Sequence, residues 1–274
     1  MVKKERPKAV KQDEMNSRDV KYVQSLERAL SILEMMAEIG APVTVTELAE
    51  EVDLNMSTVH RLLATLLHRG YVEQETGSSR YRLGLKMLKI ANAVHTFSDI
   101  RTVARPYLEE LVERCNETAN LALLDGTEIV YIDQVESHNY IIVKMVARVG
   151  NRGPVHCTAS GKALLACLPE ERVDYILANI TFDKYTNGTI TDPIHLKKEL
   201  TRVKQDGYAF DLGELEDYVR CVAAPVFDHE GNALASIGVS GPSNRITSNY
   251  MKNELAEVVR EIADKISARM GYGG

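Results

Sequence analysis

Apolar residues in the N-terminal third of the chain repeat at helical spacing. A first series follows the spacing i, i+4, i+7 and i+11, at Leu26, Leu30, Leu33 and Ala37. This series predicts a helix with one apolar face, which Gly40 and Pro42 are expected to end. Residues 1–21 are rich in Lys and Arg and poor in aromatic and branched apolar side chains. We expect them to form a disordered basic arm that can touch phosphate.

Two shorter helices are predicted next, joined by a tight turn. Thr44 and Glu47 have the spacing of a capping box, which begins the first of the two. Asn55 is a favourable N-cap for the second helix, and Gly70 stops it. The apolar face of that second helix contains Val59, Leu62, Leu63 and Leu66. A supporting helix followed by two connected amphipathic helices is typical of a helix-turn-helix.

The period then changes from helical to two-residue. Residues 71–74 and 80–83 alternate between apolar and polar side chains, and the Thr-Gly-Ser-Ser stretch between them favours a turn. On the second strand, Arg80 and Arg82 point to the same side. A hairpin directly after the third helix predicts a winged helix-turn-helix over residues 22–84.

A helical period returns after the hairpin, with apolar residues at Leu85, Leu88, Ala91 and Val94. We expect a linker helix over residues 85–98, whose apolar face is suited to pack between subunits. Ser98 or Asp99 can cap the helix that follows. Pro106 must kink that helix or start a new segment, because proline lacks the N–H of a helix interior. The domain boundary is therefore predicted between residues 97 and 100.

Residues 99–274 alternate between predicted strands and helices with mostly hairpin-like connections. The strongest hairpin signal is the pair Asp125 and Gly126, between the alternating stretches 120–124 and 128–135. Further strands are expected at residues 140–146, 208–211, 220–227 and 234–239. Helices are expected at residues 160–168, 170–178, 194–205 and 248–270. This order predicts an α+β domain with a mostly antiparallel sheet.

The composition is that of a globular chain, since 45% of the 274 residues are hydrophobic and 26% are charged. Neither an apolar leader nor a run of about 18 apolar residues occurs, so we expect a cytoplasmic protein without a membrane span. The four cysteines form no C-x-x-C pair. Buried free thiols are therefore expected, and no metal site or cofactor.

The net charge of −6 is unfavourable for binding nucleic acid, but the charge is unevenly distributed. Residues 55–84 hold four arginines against two glutamates, a net charge of +2. An outward helix face with short hydroxyls and one guanidinium suits the major groove, and wing arginines suit phosphates or the minor groove. The candidate DNA contacts are Ser57, Thr58, His60, Arg61 and Thr65 of the third helix and Arg80 and Arg82 of the wing. The alternative is a winged helix that binds a protein partner.

Several stretches of the chain resemble the IclR family of bacterial transcription regulators. They include SLERALSILEMMAE, VTELAEEVDLNMSTVHRLLATLLHRGYVEQ, SRYRLGLKMLKIA, GPVHCTASGKALLA, DGYAFDLGELEDYVRCVAAPVFD and SIGVSGPSNRI. The resemblance spans nearly everything from Tyr22 to Met270. It implies a GAF-like effector-binding domain after the winged helix, and dimers that associate into tetramers on double-stranded operator DNA.

The resemblance also implies an effector pocket between the sheet and the helix that begins in CTASGKA. The matching positions are Ile142, Met145, Ala159, Ser160, Asp211, Cys221 and Ser240. The helix start at Ala159 and Ser160 can hold a carboxylate, and Asp211 can accept from effector hydroxyls. Within the family, KISARMGYGG and VARVGNRGPVHCTASGKALLA look most like regulators of 2-keto-3-deoxygluconate and uronate breakdown. A small organic acid, specifically a sugar acid, is the expected effector.

Several of these positions also have a plainer interpretation. Asp211 can be a turn carboxylate and Ser160 a helix N-cap, while Ile142 and Met145 can be ordinary core.

Enzymatic activity is not expected from the nucleophiles in the sequence. His156 and Cys157 are adjacent, so on an extended segment their side chains point apart and cannot form a nucleophile–base pair. Residues 238–241 fall one residue short of the G-x-S-x-G motif. A redox-sensing role for Cys157, close to a helix start, is the alternative.

Overall fold

The computed structural model of the chain describes residues 22–91, 95–137 and 147–273. The chain divides into two compact units, residues 1–93 and 94–274. Each unit has its own hydrophobic core. The predicted basic arm at residues 1–21 lies outside the described residues. No helix among the described residues has the length and apolar character that crossing a bilayer requires.

The first unit is a winged helix-turn-helix, as predicted. Its helices are α1 (Gln24–Ile39), α2 (Val45–Glu51) and α3 (Met56–His68), followed by the strands β1 (Val72–Gln74) and β2 (Tyr81–Leu83) and the short helix α4 (Lys86–Ala91). The two strands pair antiparallel. The capping box of Thr44 and Glu47 is present, and Asn55 caps α3 by accepting from the N–H of Thr58. A single bridge between Val43 and Tyr81 ties the hairpin to the segment before α2.

The face of α1 that packs on the core overlaps the predicted face only at Leu33, which is half-buried against the core. Ile32 and Met36 are buried, whereas Leu26 and Leu30 are 58% and 48% exposed and Ala37 is exposed too. With about 100° between successive residues, the buried face lies roughly a quarter-turn from the predicted face. Apolar residues cover a wide arc of this helix, so their spacing alone did not select the side that meets α3.

The predicted domain boundary differs from the structure. Helix α4 lies within the predicted linker helix, residues 92–94 lie outside the described residues, and the helix α5 (His95–Cys115) runs through the predicted boundary at residues 97–100. Ser98 and Asp99 therefore lie inside α5 and do not cap it, and Pro106 lies inside it without starting a new segment.

The second unit is an α+β domain built on a six-stranded antiparallel sheet. The strands are β3 (Thr118–Asp125), β4 (Glu128–Val135), β5 (Arg152–Pro154), β6 (Ala209–Asp211), β7 (Val219–Phe227) and β8 (Ala233–Pro242). Their order across the sheet is β5-β4-β3-β8-β7-β6. The predicted hairpin at Asp125 and Gly126 joins β3 to β4. The short strand β5 was not predicted, and the strand predicted at residues 140–146 lies outside the described residues.

Helices cover both faces of this sheet. They are α5 together with α6 (Ala159–Leu165), α7 (Glu170–Ala178), α8 (Pro193–Asp206), α9 (Ser248–Tyr250) and α10 (Ala256–Arg269). A π-helical turn, Met251–Leu255, interrupts the helix predicted at residues 248–270. Strand residues alternate between the two cores, because successive side chains point to opposite faces. Leu121 and Leu123 belong to the core that also contains residues of α5 and α10. Ala122 belongs to the other core, which contains residues of α6, α7 and α8.

Candidate functional site

The outer face of α3 presents the predicted DNA-contacting residues. Ser57, His60, Arg61 and Thr65 are exposed, and Thr58 is half-buried at the helix start. The opposite face of the helix buries Val59, Leu63 and Leu66 in the core of the unit. The hydroxyl of Thr65 donates to the carbonyl of Arg61 at 3.2 Å, one turn earlier. The Arg61 guanidinium therefore stands on a solvent-facing surface of short polar side chains.

The two wing arginines contact carboxylates of their own domain. Arg80 donates to the Pro42 carbonyl at 2.8 Å and to both carboxylate oxygens of Glu47 at 3.3 Å. Arg82 pairs at 3.0 Å with Glu73, its direct partner across the hairpin. Both arginines are about half exposed, so a phosphate can still approach them. Their charge is nevertheless offset locally, which the sequence prediction did not take into account.

A small cavity lies in the second unit, between α6 and the sheet. Five predicted effector contacts line it, namely Ala159, Ser160, Asp211, Cys221 and Ser240. The register explains this convergence, since Asp211 pairs with Cys221 and Cys221 with Ser240 on three adjacent strands. Directly paired residues lie on the same face of a sheet. The other two predicted contacts, Ile142 and Met145, lie outside the described residues.

The floor of the cavity is polar. Asn120 of β3 donates to the hydroxyl of Ser240 at 3.0 Å, and both side chains are buried. Asn120 was not predicted, although an amide inside an otherwise apolar strand was a usable signal. Further lining residues that sequence reasoning missed are Tyr131, Ala147, Thr158, Leu215, Glu216, Val219, Val222 and Ala223.

Asp211 is both a turn residue and a wall of the cavity. Its Oδ1 accepts from the N–H groups of Gly213 and Glu214, at 3.0 and 2.7 Å. No described residue donates to its Oδ2. Burial raises the pKa of the Asp211 carboxyl to about 7, against the lowering effect of the backbone N–H of Glu214. At neutral pH this group therefore exists in both protonation states.

The start of α6 is capped by Thr158, whose hydroxyl accepts from the Gly161 N–H at 3.1 Å. The alternative interpretation of Ser160 as the N-cap is therefore wrong, and Ser160 is a buried residue of the cavity wall. Gly161 is required here, because a Cβ atom would lie 2.5 Å from the backbone of Val155.

Behind the cavity, α6 carries a buried ion pair that the sequence did not indicate. The Lys162 ammonium, 1% exposed, contacts the Glu214 carboxylate, while the buried Oε2 of Glu214 has no hydrogen-bond partner among the described residues. Burial raises the pKa of Glu214, and Lys162 opposes that effect. Cys157 is fully buried nearby and burial strongly raises the pKa of its thiol, which argues against the redox-sensor alternative.

A winged helix-turn-helix followed by a domain with a cavity lined by polar groups is typical of a ligand-responsive transcription regulator. Two family profiles match the chain, the IclR helix-turn-helix domain at residues 25–76 and the bacterial transcriptional regulator IclR C-terminal domain at residues 92–268. The protein belongs to the IclR family of bacterial transcription regulators, with a DNA-binding N-terminal domain and an effector-binding C-terminal domain.

Two characterised relatives from Escherichia coli K12 are similar over nearly their whole length. The HTH-type transcriptional regulator XynR is 35% identical over 250 residues, covering 91% of this chain and 98% of XynR. The transcriptional repressor IclR is 35% identical over 254 residues, covering 92% of this chain and 91% of the repressor. These relatives are named regulators and repressors, which agrees with the prediction of a non-enzymatic protein.

Three solved structures share the fold. Thermotoga maritima IclR has a TM-score of 0.78 at 33% identity, covering 92% of this chain and 100% of that one. An IclR homologue from Microbacterium hydrocarbonoxydans, solved with 4-hydroxybenzoate, has a TM-score of 0.75 at 26% identity, covering 90% and 98%. The C-terminal domain of E. coli KdgR has a TM-score of 0.57 at 34% identity, covering 64% and 99%.

Proposed function

We propose that this protein is a regulator of carbon catabolism whose affinity for operator DNA is controlled by a small organic acid, specifically a sugar acid such as 2-keto-3-deoxygluconate. The observation that carries the proposal is the cavity between α6 and the sheet. Its wall combines hydroxyl, amide and carboxyl groups from Ser160, Asn120, Asp211 and Ser240.

The chemistry of this wall favours a hydroxylated ligand over an aromatic one. Asn120, Asp211 and Ser240 are buried or nearly so, and a buried polar group that is left without a partner costs about 1–3 kcal/mol. A sugar acid offers a hydroxyl or carboxylate to each of these groups, whereas an aromatic ring satisfies few of them. The aromatic 4-hydroxybenzoate, bound by the Microbacterium homologue, is therefore the most informative competitor.

Calorimetry with purified protein tests the effector class. The ligands are 2-keto-3-deoxygluconate, glyoxylate, pyruvate, protocatechuate and 4-hydroxybenzoate, with Ser240→Ala as the cavity variant. We expect the sugar acid to bind most tightly and the variant to weaken its binding by roughly fivefold, about 1 kcal/mol. Tightest binding of an aromatic acid would reject the sugar-acid assignment.

DNA binding is tested by fluorescence anisotropy with the DNA upstream of the protein's own operon and a scrambled duplex of equal length. We expect tighter binding to the upstream DNA, affinity that falls steeply with added salt, and a change of affinity when the effector is added. Absent or salt-insensitive binding would instead favour a winged helix that docks on protein.

Two-fold assembly is part of the proposal. Two recognition helices must reach half-sites about one helical turn apart, so we expect a dimer on DNA and association of dimers into tetramers. Leu85, just before α4, and Leu88 within it are 73% and 59% exposed, as apolar residues at a subunit contact would be in an isolated chain. Sedimentation of the protein alone and on a single operator duplex measures both states.

A further inference from the structure

Among the described residues, carboxyl groups line the effector cavity and cations do not. Asp211 and Glu216 lie on its wall, and no Lys, Arg or His side chain of the described residues does. A carboxylate ligand placed beside an ionised Asp211 would meet a like charge at a site of low dielectric constant. Repulsion between like charges at such a site is large, and it favours protonation of one of the two groups.

Asp211 is the carboxyl of the cavity wall whose surroundings favour holding a proton. Of the part of the chain that the structure describes, the ionisable side chains that act on Asp211 or share its cavity are Tyr131, Cys157, Lys162, Glu214, Glu216 and Cys221. The phenol and the two thiols are neutral, because burial raises the pKa of each. The Lys162 ammonium is already paired with Glu214. No cation of this set is therefore available to neutralise an incoming carboxylate.

The hydrogen bonds of Asp211 suit a protonated carboxyl. Oδ1 accepts from two backbone N–H groups, which both the ionised and the neutral form of the side chain allow. Oδ2 receives no hydrogen bond from a described residue. A proton on Oδ2 would turn the group from an acceptor into a donor that can bind an effector carboxylate.

We propose that this protein binds its carboxylate effector together with one proton, which is held on Asp211. The proposal rests on the proposed function, since it assumes a carboxylate effector in this cavity. It reverses the role expected from the sequence, in which an ionised Asp211 accepts from effector hydroxyls. Because the pKa of Asp211 in the free protein is about 7, the coupling falls in the neutral pH range.

Calorimetry across pH 5.5–8.5 tests the coupling, with 2-keto-3-deoxygluconate and pyruvate as carboxylate probes and pyruvamide as an uncharged one. We expect the affinity for the acids to be constant at low pH and to fall by about tenfold per pH unit above pH 7. Buffers of different ionisation enthalpy should show uptake approaching one proton per acid at pH 8. The affinity for pyruvamide should be independent of pH.

The Asp211→Asn substitution replaces the titratable carboxyl with a side chain that does not titrate. The asparagine keeps the Oδ1 acceptor and supplies a permanent donor, so it imitates the protonated aspartic acid. We expect this variant to bind the acids more tightly than the wild type at pH 8, by about tenfold, without proton uptake. The matched control Asp174→Asn, an exposed position on α7, should behave as the wild type.

The outcomes separate this inference from the proposed function. An affinity that is flat or rises with pH, or weaker binding by Asp211→Asn at pH 8, overturns the protonated-aspartate proposal alone. The wild-type proton count decides the question even if the variant does not fold. Failure of every acid to bind at any pH overturns the proposed effector itself.

Discussion

The two functional regions of this protein differ in whether their recognition residues are exposed or buried. On α3, Ser57, Arg61 and Thr65 stand on an exposed face, and burial of the other face positions them. In the effector unit, Asp211 and Ser240 are themselves buried and are fixed by hydrogen bonds to neighbouring groups. A surface site can change without unfolding its domain, whereas a buried polar site is also part of the core. Substitutions should therefore affect recognition alone in the first region, and recognition together with stability in the second.

The largest effect is expected from Lys162→Met, because it leaves the buried Glu214 carboxylate without its cation. Breaking a buried ion pair on one side costs about 3–5 kcal/mol. Thermal unfolding should show a lower transition for the effector unit. Adding Glu214→Leu should recover much of the loss, since an apolar pair needs no charge compensation. Exposed Lys198→Met is the matched control. Equal stability of both single variants would show that the core does not depend on the pair.

The stability of the effector unit should fall as pH rises from about 4 to about 7. The Asp211 pKa is about 7 in the folded chain, above the value of about 3.9 in an unfolded one, so the folded state binds the proton more tightly. This difference amounts to at most about 4 kcal/mol. Denaturation by urea at pH 5 and pH 8 should show a smaller pH difference for Asp211→Asn than for Asp174→Asn. An unchanged difference would mean that Asp211 titrates normally.

Arg61→Ala should affect recognition without affecting the fold. The side chain is exposed, so the unfolding transition is expected to stay within about 0.5 kcal/mol of the wild type. Affinity for the operator should fall by about 1–3 kcal/mol, with little change for scrambled DNA. Anisotropy with both duplexes measures the difference. Equal losses of affinity for the two duplexes would show that Arg61 of α3 does not contribute to sequence recognition.

Arg80→Ala should produce the smallest change. The sequence indicated a phosphate contact, but the side chain holds Pro42 and Glu47. Exposed pairs contribute about 1 kcal/mol or less. We expect slightly weaker binding of this variant to any DNA. The Glu47→Gln substitution should reproduce part of this loss of affinity, although it removes no positive charge. If only Arg80→Ala weakened binding, a direct phosphate contact would be the better explanation.

Much of the first unit could be predicted from the sequence, because its signals are local. The caps at Thr44 and Asn55 and the turn after Gln74 depend on neighbours within a few residues. The face of α1 and the partners of Arg80 could not be predicted in this way. Both depend on contacts between segments far apart along the chain, such as Arg80 and Pro42, which are 38 residues apart.

In the effector unit, local patterns gave the main strands and helices, and resemblance to a family indicated the cavity residues. Periodicity alone did not indicate that Asp211, Cys221 and Ser240 would lie side by side, because register between strands is a long-range property. The ion pair of Lys162 and Glu214 escaped prediction for the same reason. A lysine near a helix start is ordinarily exposed. Lys162 is buried because the segment that contains Glu214 packs over it.

The bridge between Val43 and Tyr81 has a consequence for the motions of the DNA-binding unit. Each residue donates its N–H to the carbonyl of the other, at 2.9 and 2.7 Å, and both side chains lie in the core. Amide protons of this kind exchange with solvent only when the surrounding cooperative unit opens. The wing hairpin and the helix-turn-helix should therefore open with the same free energy. The wing is then expected to move together with the recognition helix and not independently of it.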